Sequence, residues 1–334
     1  MGHQEQIEQP PRYAPWTVPA QPLARRGSAG RRVGWVAAAV GVAAVAGLAV
    51  FRLAARRGPE AEPPPESEEV KGARLLAGGA AILAFSVLAD SGIEHYRGAY
   101  HNPAMFVGPT VAAVSLAHHI HMVLTPQTAG PARLALSGLS FATGATGLAF
   151  HLYNVQKREG GIDLLNLFYG APLGAPGAIA ASGLAGLAAV QLVSEAEVGT
   201  KPTLLGTPGG TVIGLATTFV MLGTVAEVAL LHFRGAFHDP FMYVPVTVPP
   251  AAAAVLAAAV FTPALRKAAR VLMWVTGAAG IAGAGFHAYG ISRNMGGFYN
   301  WTQNILNGPP LPAPPSFTGV ALAGLAALRL LEAQ

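Results

Sequence analysis

The stretch HYRGAYHNP at residues 95–103 returns almost unchanged as HFRGAFHDP at residues 232–240, an offset of 137 residues. Each copy follows one apolar stretch that is long enough to cross a bilayer as a helix, and each precedes another such stretch. A repeat of this kind, set among membrane-length apolar segments, predicts a helical membrane protein built from two similar units in tandem.

The recurrence extends well beyond these residues. A carboxylate is kept before each copy, as Asp90 and Glu227. Further along, two glycines and a histidine recur with the same spacing, as Gly144, Gly147 and His151 and again as Gly280, Gly283 and His287. We predict two four-helix repeats, 72–200 and 201–334, in the same orientation about an axis along the membrane normal, because each has an even number of spans.

Composition excludes the soluble classes of protein. The 334 residues are 52% hydrophobic and 11% charged, with a mean hydropathy of +0.44, whereas soluble domains carry roughly 25% charged residues. The chain has no Cys, which excludes disulfides, thiolate ligands, iron–sulfur clusters and covalent c-type haem. The net charge of +5 forms no basic stripe interleaved with aromatics, so we expect no nucleic-acid partner.

The fold class predicted is an all-α integral membrane protein of about nine transmembrane helices. Residues 1–32 are expected to be a disordered basic and Pro-rich tail, 33–53 an N-terminal transmembrane helix and 54–71 an acidic Pro-rich linker. The eight further spans are predicted at 73–95, 105–124, 132–155, 177–194, 210–232, 242–261, 268–291 and 316–331. The longer connections, 156–176 and 292–315, are mildly amphipathic and are expected at the membrane interface.

Counting spans places the titratable residues of both units at one end of the helices, which we call the histidine end. Polar and ionisable side chains are costly inside a membrane, so a set kept in two copies predicts a functional site. Mixed His and carboxylate ligands without Cys suit non-haem iron, copper, manganese or zinc. The first site would use Asp90, His95, His101 and His151, and the second Glu227, His232, His238 and His287. If the units face each other, these ligands could enclose one dinuclear centre.

Haem b is the alternative cofactor. His95 with His151, and His232 with His287, would then be axial pairs, with Arg97 and Arg234 facing the propionates. His101 and His238 would be left to support the ligands or to contact quinone. The paired glycines Gly144, Gly147, Gly280 and Gly283 would either make room for a flat porphyrin or serve close helix packing.

These patterns predict a membrane-embedded redox metalloprotein, the membrane subunit of an oxidoreductase or electron-transfer complex, with an extrinsic redox subunit and quinone as partners. A transporter or channel built from parallel repeats is a further alternative. A separate cluster of His118, His119 and His121 occurs only in the first unit, where His118 and His121 share a helical face as a metal or haem ligand pair could.

We expect the protein in a bacterial cytoplasmic membrane, because Ala, Gly, Pro and Arg usage is that of a high-GC bacterium. The orientation has two competing signals. The arginines just before the first span, Arg25, Arg26, Arg31 and Arg32, favour a cytoplasmic histidine end, whereas the more numerous Lys and Arg in the opposite loops favour a periplasmic one. We expect the periplasmic orientation.

Overall fold

Eight long helices coincide with the eight spans predicted between residues 73 and 331. The protein was analysed as a computed structural model that describes residues 67–127, 129–199 and 203–333. The predicted tail, the span 33–53 and most of the linker lie outside the described residues. Seven of these helices are long and apolar enough to cross a membrane, as expected of an all-α membrane protein. The eighth, Pro131–Gln156, carries buried Arg133, Ser137 and Ser140 in its first half.

The first four long helices form the first unit. They are α1 (Glu68–Arg97), α2 (Val107–Leu124), α3 (Pro131–Gln156) and α5 (Gly174–Glu197), with the short helix α4 (Leu164–Tyr169) in the connection before α5. A 3₁₀ turn, Pro103–Phe106, leads into α2. Each of α1 and α3 packs against both α2 and α5, so α1 and α3 stand at opposite corners of a four-helix bundle.

The second unit repeats this arrangement. After a two-residue hairpin, Thr203–Leu204 with Thr207–Pro208, come α6 (Gly209–Arg234), α7 (Val244–Phe261), α8 (Arg266–Arg293) and α9 (Pro315–Ala333). Single turns, Pro240–Tyr243 and Pro263–Leu265, precede α7 and α8, and turns Gly297–Tyr299 and Trp301–Ile305 lie before α9. Each of α6 and α8 packs against both α7 and α9, so α6 and α8 are again opposite corners.

The units meet mainly where α1 packs on α9, with a smaller contact between α5 and α6. Gly79 and Gly319 lie at the closest approach of α1 and α9. A Cβ on Gly79 would lie 2.5 Å from the Gly319 carbonyl oxygen, and one on Gly319 would lie 2.8 Å from that of Gly79. Small residues allow this close contact of backbones. At the end opposite the histidines, Glu68 and Arg329 form an ion pair of 2.5 Å across the same seam.

The interiors of the two units differ in polarity. The core of the second unit is mainly apolar and includes Ala252, Leu256, Met273 and Val320, with the threonines Thr217 and Thr276 as buried polar side chains. In the first unit an apolar layer lies toward the histidine end and is formed by Ala84, Val87, Ala112 and Ile179. One turn further from that end the interior becomes polar, with five buried side chains: Ser115, His118, His119, Ser137 and Ser182.

Candidate cofactor site at the histidine end

The turn that follows α1 has the same geometry as the turn that follows α6. Ala99 and Tyr100 adopt left-handed φ angles of 57° and 44°, and Ala236 and Phe237 adopt 56° and 45°. A Cβ on the preceding glycine, Gly98 or Gly235, would lie 2.8 Å from a methionine methyl group, which is the end of a flexible side chain.

The differences between the two turns are conservative. The side chain of Asn102 caps the next 3₁₀ turn by accepting from the Ala104 amide at 3.0 Å, and Asp239 accepts from Phe241 at 2.9 Å. The Tyr100 hydroxyl donates to the Gly92 carbonyl at 3.2 Å, and burial raises the pKa of this phenol. The second turn has a phenylalanine instead, so only the aromatic ring is common to both.

One histidine in the last turn of each unit's first helix bonds the backbone of the 3₁₀ turn that precedes the second helix. His95 Nδ1 donates to the Met105 carbonyl at 2.5 Å, and His232 Nδ1 donates to the Met242 carbonyl at 2.7 Å. Because each histidine is near the end of the first helix of its unit, this bond ties that end to the turn before the second helix.

A second histidine in each unit stands near the end of the third helix and bonds the loop before the fourth. His151 Nδ1 donates to the Pro172 carbonyl at 2.5 Å, and His287 Nδ1 donates to the Pro310 carbonyl at 2.8 Å. The four imidazoles therefore use the same nitrogen and the same kind of acceptor.

This shared bond determines where the imidazole proton is. A carbonyl oxygen can only accept, so Nδ1 must carry the proton, and the neutral ring then keeps a lone pair on Nε2. Among the described residues these are the only hydrogen bonds that the four imidazoles make. A ring held through Nδ1–H on a backbone carbonyl, with Nε2 bare, is the usual state of a histidine that binds a metal.

The four histidines form one pair in each unit. His95 on α1 and His151 on α3 belong to opposite corners of the first bundle and lie close enough to interact electrostatically. His232 on α6 and His287 on α8 stand in the same relation in the second bundle. Each bundle thus brings two imidazoles from opposite helices within electrostatic range of each other.

The remaining predicted histidines stay on the exposed side of the turns. His101 Nδ1 bonds the Gly98 carbonyl at 3.0 Å, and His238 Nδ1 bonds the Gly235 carbonyl at 2.9 Å. The charged neighbours of His95 are His151 and Glu94, and His101 is not among them. The structure therefore does not bring these two side chains into the pairs.

The carboxylates gather beside the first pair rather than one in each unit. Glu227 belongs to α6 of the second unit, but its side chain lies at the start of α5 in the first unit. The backbone amides of Leu173 and Gly174 donate to its carboxylate there, and His151 is an electrostatic neighbour. Asp90 interacts with Glu94 and with Glu227. In the loop just before α9, the position that matches Gly174 is a proline, residue 312, which has no amide hydrogen to offer a carboxylate.

The two arginines have different partners. Arg97 forms an ion pair of 2.6 Å with Glu94, and both side chains are about 40% exposed. Arg234 instead lies over the rings of Phe168 and Tyr169, at 5.2 and 5.9 Å. Leucine stands in the second unit where Glu94 stands in the first, and the carboxylate that interacts electrostatically with Arg234 is Glu227.

The predicted glycines serve helix packing in this structure. A Cβ on Gly144 would overlap the Ala180 backbone of α5, and one on Gly280 would lie 2.8 Å from the Pro314 carbonyl oxygen. Gly147 and Gly283 have more room, since the nearest atoms to a Cβ there are proline side-chain carbons at 3.3 and 2.9 Å. Both glycine pairs therefore face the fourth helix of their unit.

No set of three or more His, Asp or Glu side chains within residues 67–127, 129–199 and 203–333 is arranged to hold a metal ion. The predicted four-ligand sites are thus present as histidine pairs, with carboxylates near only one of them. What the sequence prediction missed altogether was the buried serines around His118 and His119. A signal was available, because Ser115, Ser137 and Ser182 align with Ala252, Met273 and Val320 of the second unit.

Comparison with protein-family models, with curated proteins and with solved structures finds no match to this chain.

Proposed function

We propose that this protein is a membrane-embedded electron-transfer protein that holds two b-type haems, one in each four-helix unit. His95 with His151, and His232 with His287, would be the axial ligands. A haem needs two opposed imidazoles and takes its other four ligands from the porphyrin, which suits paired histidines better than a non-haem ion that needs three or more side chains.

The observation that carries this proposal is the state of the four imidazoles. Each donates from Nδ1 to a backbone carbonyl and leaves Nε2 bare, and each pair comes from opposite corners of one bundle. Two exposed histidines in the same turns, His101 and His238, bond only their own turn. The second unit has this arrangement as well, which supports an origin by duplication.

When bound, the haems would supply reversible one-electron chemistry. The chain itself does three things. The carbonyls of Met105 and Pro172, with Met242 and Pro310, hold the imidazoles in one tautomer and orientation. Arg234 presents a positive charge at the same end, where a propionate could bind. The carboxylate of Glu227 places negative charge near His151 of the first pair, and Asp90 is an electrostatic neighbour of Glu227.

A non-haem form of the proposal is favoured by one observation. Glu227 of the second unit is an electrostatic neighbour of His151 in the first, so a single centre at the joint could combine a carboxylate with His95 and His151. Iron, copper, manganese or zinc would suit these ligands. Transport is less well supported, because the apolar layer Ala84, Val87, Ala112 and Ile179 separates the histidine end from the polar interior.

Location and partners complete the proposal. A pair of redox centres at one membrane face suits exchange of electrons with quinone in the bilayer and with an extrinsic redox subunit. We place the protein in a bacterial inner membrane with the histidine end toward the periplasm, from the distribution of Lys and Arg.

The test is an absorption spectrum of the purified full-length protein, oxidised and reduced. We expect a Soret band that shifts on reduction and two haems per chain. His95→Ala and His232→Ala should each remove about half of the haem, and the double variant all of it, since each ligand serves one unit. Added imidazole should restore haem to the single variants, which separates loss of a ligand from loss of folding.

His101→Ala and His238→Ala are the matched controls, because they remove exposed histidines from the same two turns. They should keep both haems. If the protein shows no Soret band but contains one equivalent of metal that is lost in His151→Ala and in Glu227→Gln, the non-haem form is correct. Protein with neither haem nor metal contradicts the redox function.

A further inference from the structure

The third long helix of each unit ends with a tyrosine and, four positions later, a basic residue. Lys157 Nζ lies 5.5 Å from the ring centre of Tyr153 at the end of α3, and Arg293 Cζ lies 5.5 Å from that of Tyr289 at the end of α8. Both pairs are at the histidine end and match in the repeat, 136 residues apart. The two tyrosines are 61% and 59% exposed. The units therefore share an exposed cation that lies over an aromatic ring.

The pair in the second unit stands where a membrane helix meets the headgroups. The membrane-length segment Pro263–Arg293 ends at the arginine itself. Tyrosine is enriched at membrane interfaces, and an arginine near a helix end extends its side chain along apolar surface until the charge reaches the polar layer. We therefore expect Tyr289 and the guanidinium of Arg293 at the level of the lipid headgroups.

The charge of this arginine is isolated. In the sequence, Arg293 is the only Asp, Glu, Lys or Arg between Arg270 and Arg329. It forms no ion pair with any residue that the structure describes. Its hydrogen bond there is to the hydroxyl of Tyr289, at 3.5 Å. The protein thus offers an oriented cation at the interface without supplying an anion for it.

The matching cation of the first unit has a different setting. Lys157 and Arg158 are followed by Glu159 and Asp163, so the connection between α3 and α5 has no net charge. Lysine is also a point charge, whereas the guanidinium of arginine presents a planar fork of donors that fits two phosphate oxygens. An anion is therefore expected to bind more strongly in the second unit.

The connection that follows α8 presents large side chains to its surroundings. Asn304 Nδ2 donates to the carbonyls of Met295 and Gly297, at 3.0 and 2.8 Å, and ties this segment into a loop. Met295 and Tyr299 on the loop are 91% and 100% exposed, and Trp301 is also exposed. Apolar and aromatic side chains displayed together in this way are typical of a surface that contacts a membrane.

We propose that Arg293 and Tyr289 form a binding site for the headgroup phosphate of an anionic phospholipid. The guanidinium would pair with the phosphate oxygens, while the tyrosine ring holds it in position. A zwitterionic phospholipid carries its own cation beside the phosphate, so the isolated charge of Arg293 favours a lipid with a net negative charge. The site is distinct from the histidine pairs and does not depend on the proposed haems.

The experiment is native mass spectrometry of the purified full-length protein in non-ionic detergent, with dioleoyl phosphatidylglycerol and dioleoyl phosphatidylcholine added in equal amounts. We expect the wild-type protein to retain one phosphatidylglycerol in preference to phosphatidylcholine. Arg293→Gln should weaken phosphatidylglycerol binding about 5-fold, the contribution of one basic residue at an anionic surface. Arg293→Lys keeps the charge and should restore most of the preference.

Lys157→Gln is the matched control, because it removes the cation at the same position of the first unit, where acidic residues follow. It should change phosphatidylglycerol binding by less than about 2-fold. A wild-type protein without preference for phosphatidylglycerol, or an Arg293→Gln protein with unchanged affinity, overturns the proposal and leaves only non-specific lipid contact. An equal loss in Lys157→Gln also overturns it, since the preference would then follow total charge. Far-ultraviolet circular dichroism checks that each variant is folded.

Discussion

The two four-helix units are alike at the histidine end and unlike in their interiors. In both units two consecutive residues at the same position of the turn adopt left-handed φ angles. In both, the Nδ1 atom of a histidine just before that turn bonds a backbone carbonyl. About three to four helical turns away, His119 and Ser137 occupy the places that Leu256 and Met273 occupy in the other unit. Four-helix bundles of similar architecture can therefore have a polar or a mainly apolar interior. The features that are common to both units are the ones that indicate a common function.

The largest effect on the free energy of unfolding is expected when an interior residue of one unit is replaced by its counterpart from the other unit. Leu256→His places an imidazole in a core where Ala252, Met273 and Val320 offer it no hydrogen-bonding side chain. It should lower the free energy of unfolding by about 3–5 kcal/mol. The reciprocal His119→Leu should change it by less than about 1 kcal/mol, because it removes a buried acceptor, His119 Nε2, that has no hydrogen-bond partner among the described residues. Unfolding by SDS titration in mixed micelles measures both, and equal losses would contradict the contrast between the interiors.

The next largest effect on the free energy of unfolding is expected at the glycines of α3 that face the fourth helix of the first unit. Gly144→Ala would push a Cβ into the Ala180 backbone, which cannot move aside, and should cost about 2–3 kcal/mol of unfolding free energy. Gly147→Ala meets only a proline carbon at 3.3 Å and should cost less than about 1 kcal/mol. Haem content of the two variants separates packing from cofactor room. If Gly147→Ala stays folded but loses haem, that glycine makes space for the porphyrin.

The two histidine pairs should differ in reduction potential if they hold haem. Glu94 is an electrostatic neighbour of His95, and the second unit has Leu231 at the matching position. A nearby negative charge disfavours reduction, so the first haem should have the lower potential. Glu94→Leu should raise it by about 20–40 mV and Leu231→Glu should lower that of the second haem similarly. Spectroscopic redox titration checks this, and two equal, unshifted potentials would contradict it.

The smallest effect on the free energy of unfolding is expected from substitutions in the turns after α1 and α6, and it should be equal in the two units. Ala99→Gly and Ala236→Gly replace residues held at φ angles of 57° and 56°, which glycine adopts without a Cβ clash. Each should raise the free energy of unfolding by about 0.5–1 kcal/mol, less the entropy that glycine loses on folding. Thermal unfolding in detergent would show it, and opposite signs in the two units would mean that the turns are not equivalent.

The helices could be predicted because membrane-length apolar runs are a strong signal, and every predicted span within the described residues is a helix. The convergence of histidines at one end followed from counting spans. The use of Nδ1 rather than Nε2 could not be predicted, since it depends on which carbonyl lies 2.5–2.8 Å from the ring. The second-unit carboxylate Glu227 was assigned to its own unit, because spacing along the chain cannot show that it crosses the joint to Leu173 and Gly174.

The polar interior illustrates a second limit of the sequence. Ser115, Ser137 and Ser182 are ordinary residues for a membrane helix, where a serine usually bonds the backbone of its own turn, as Ser140 does with Leu136. Only their contacts with His118, His119 and Ala80 make them a network. The packing role of Gly144 was one of two possibilities at the sequence level, and the distance to the α5 backbone distinguishes them.

The seam between α1 and α9 has a consequence for biosynthesis. Its closest contact joins Gly79 to Gly319, and its ion pair joins Glu68 to Arg329. These partners lie on the first and last long helices of the two units, so the seam cannot close until α9 has entered the membrane. During synthesis the first bundle can assemble earlier, from contacts local to it, while the α9-facing side of α1 stays open to lipid. Maturation therefore ends with the joining of the two units.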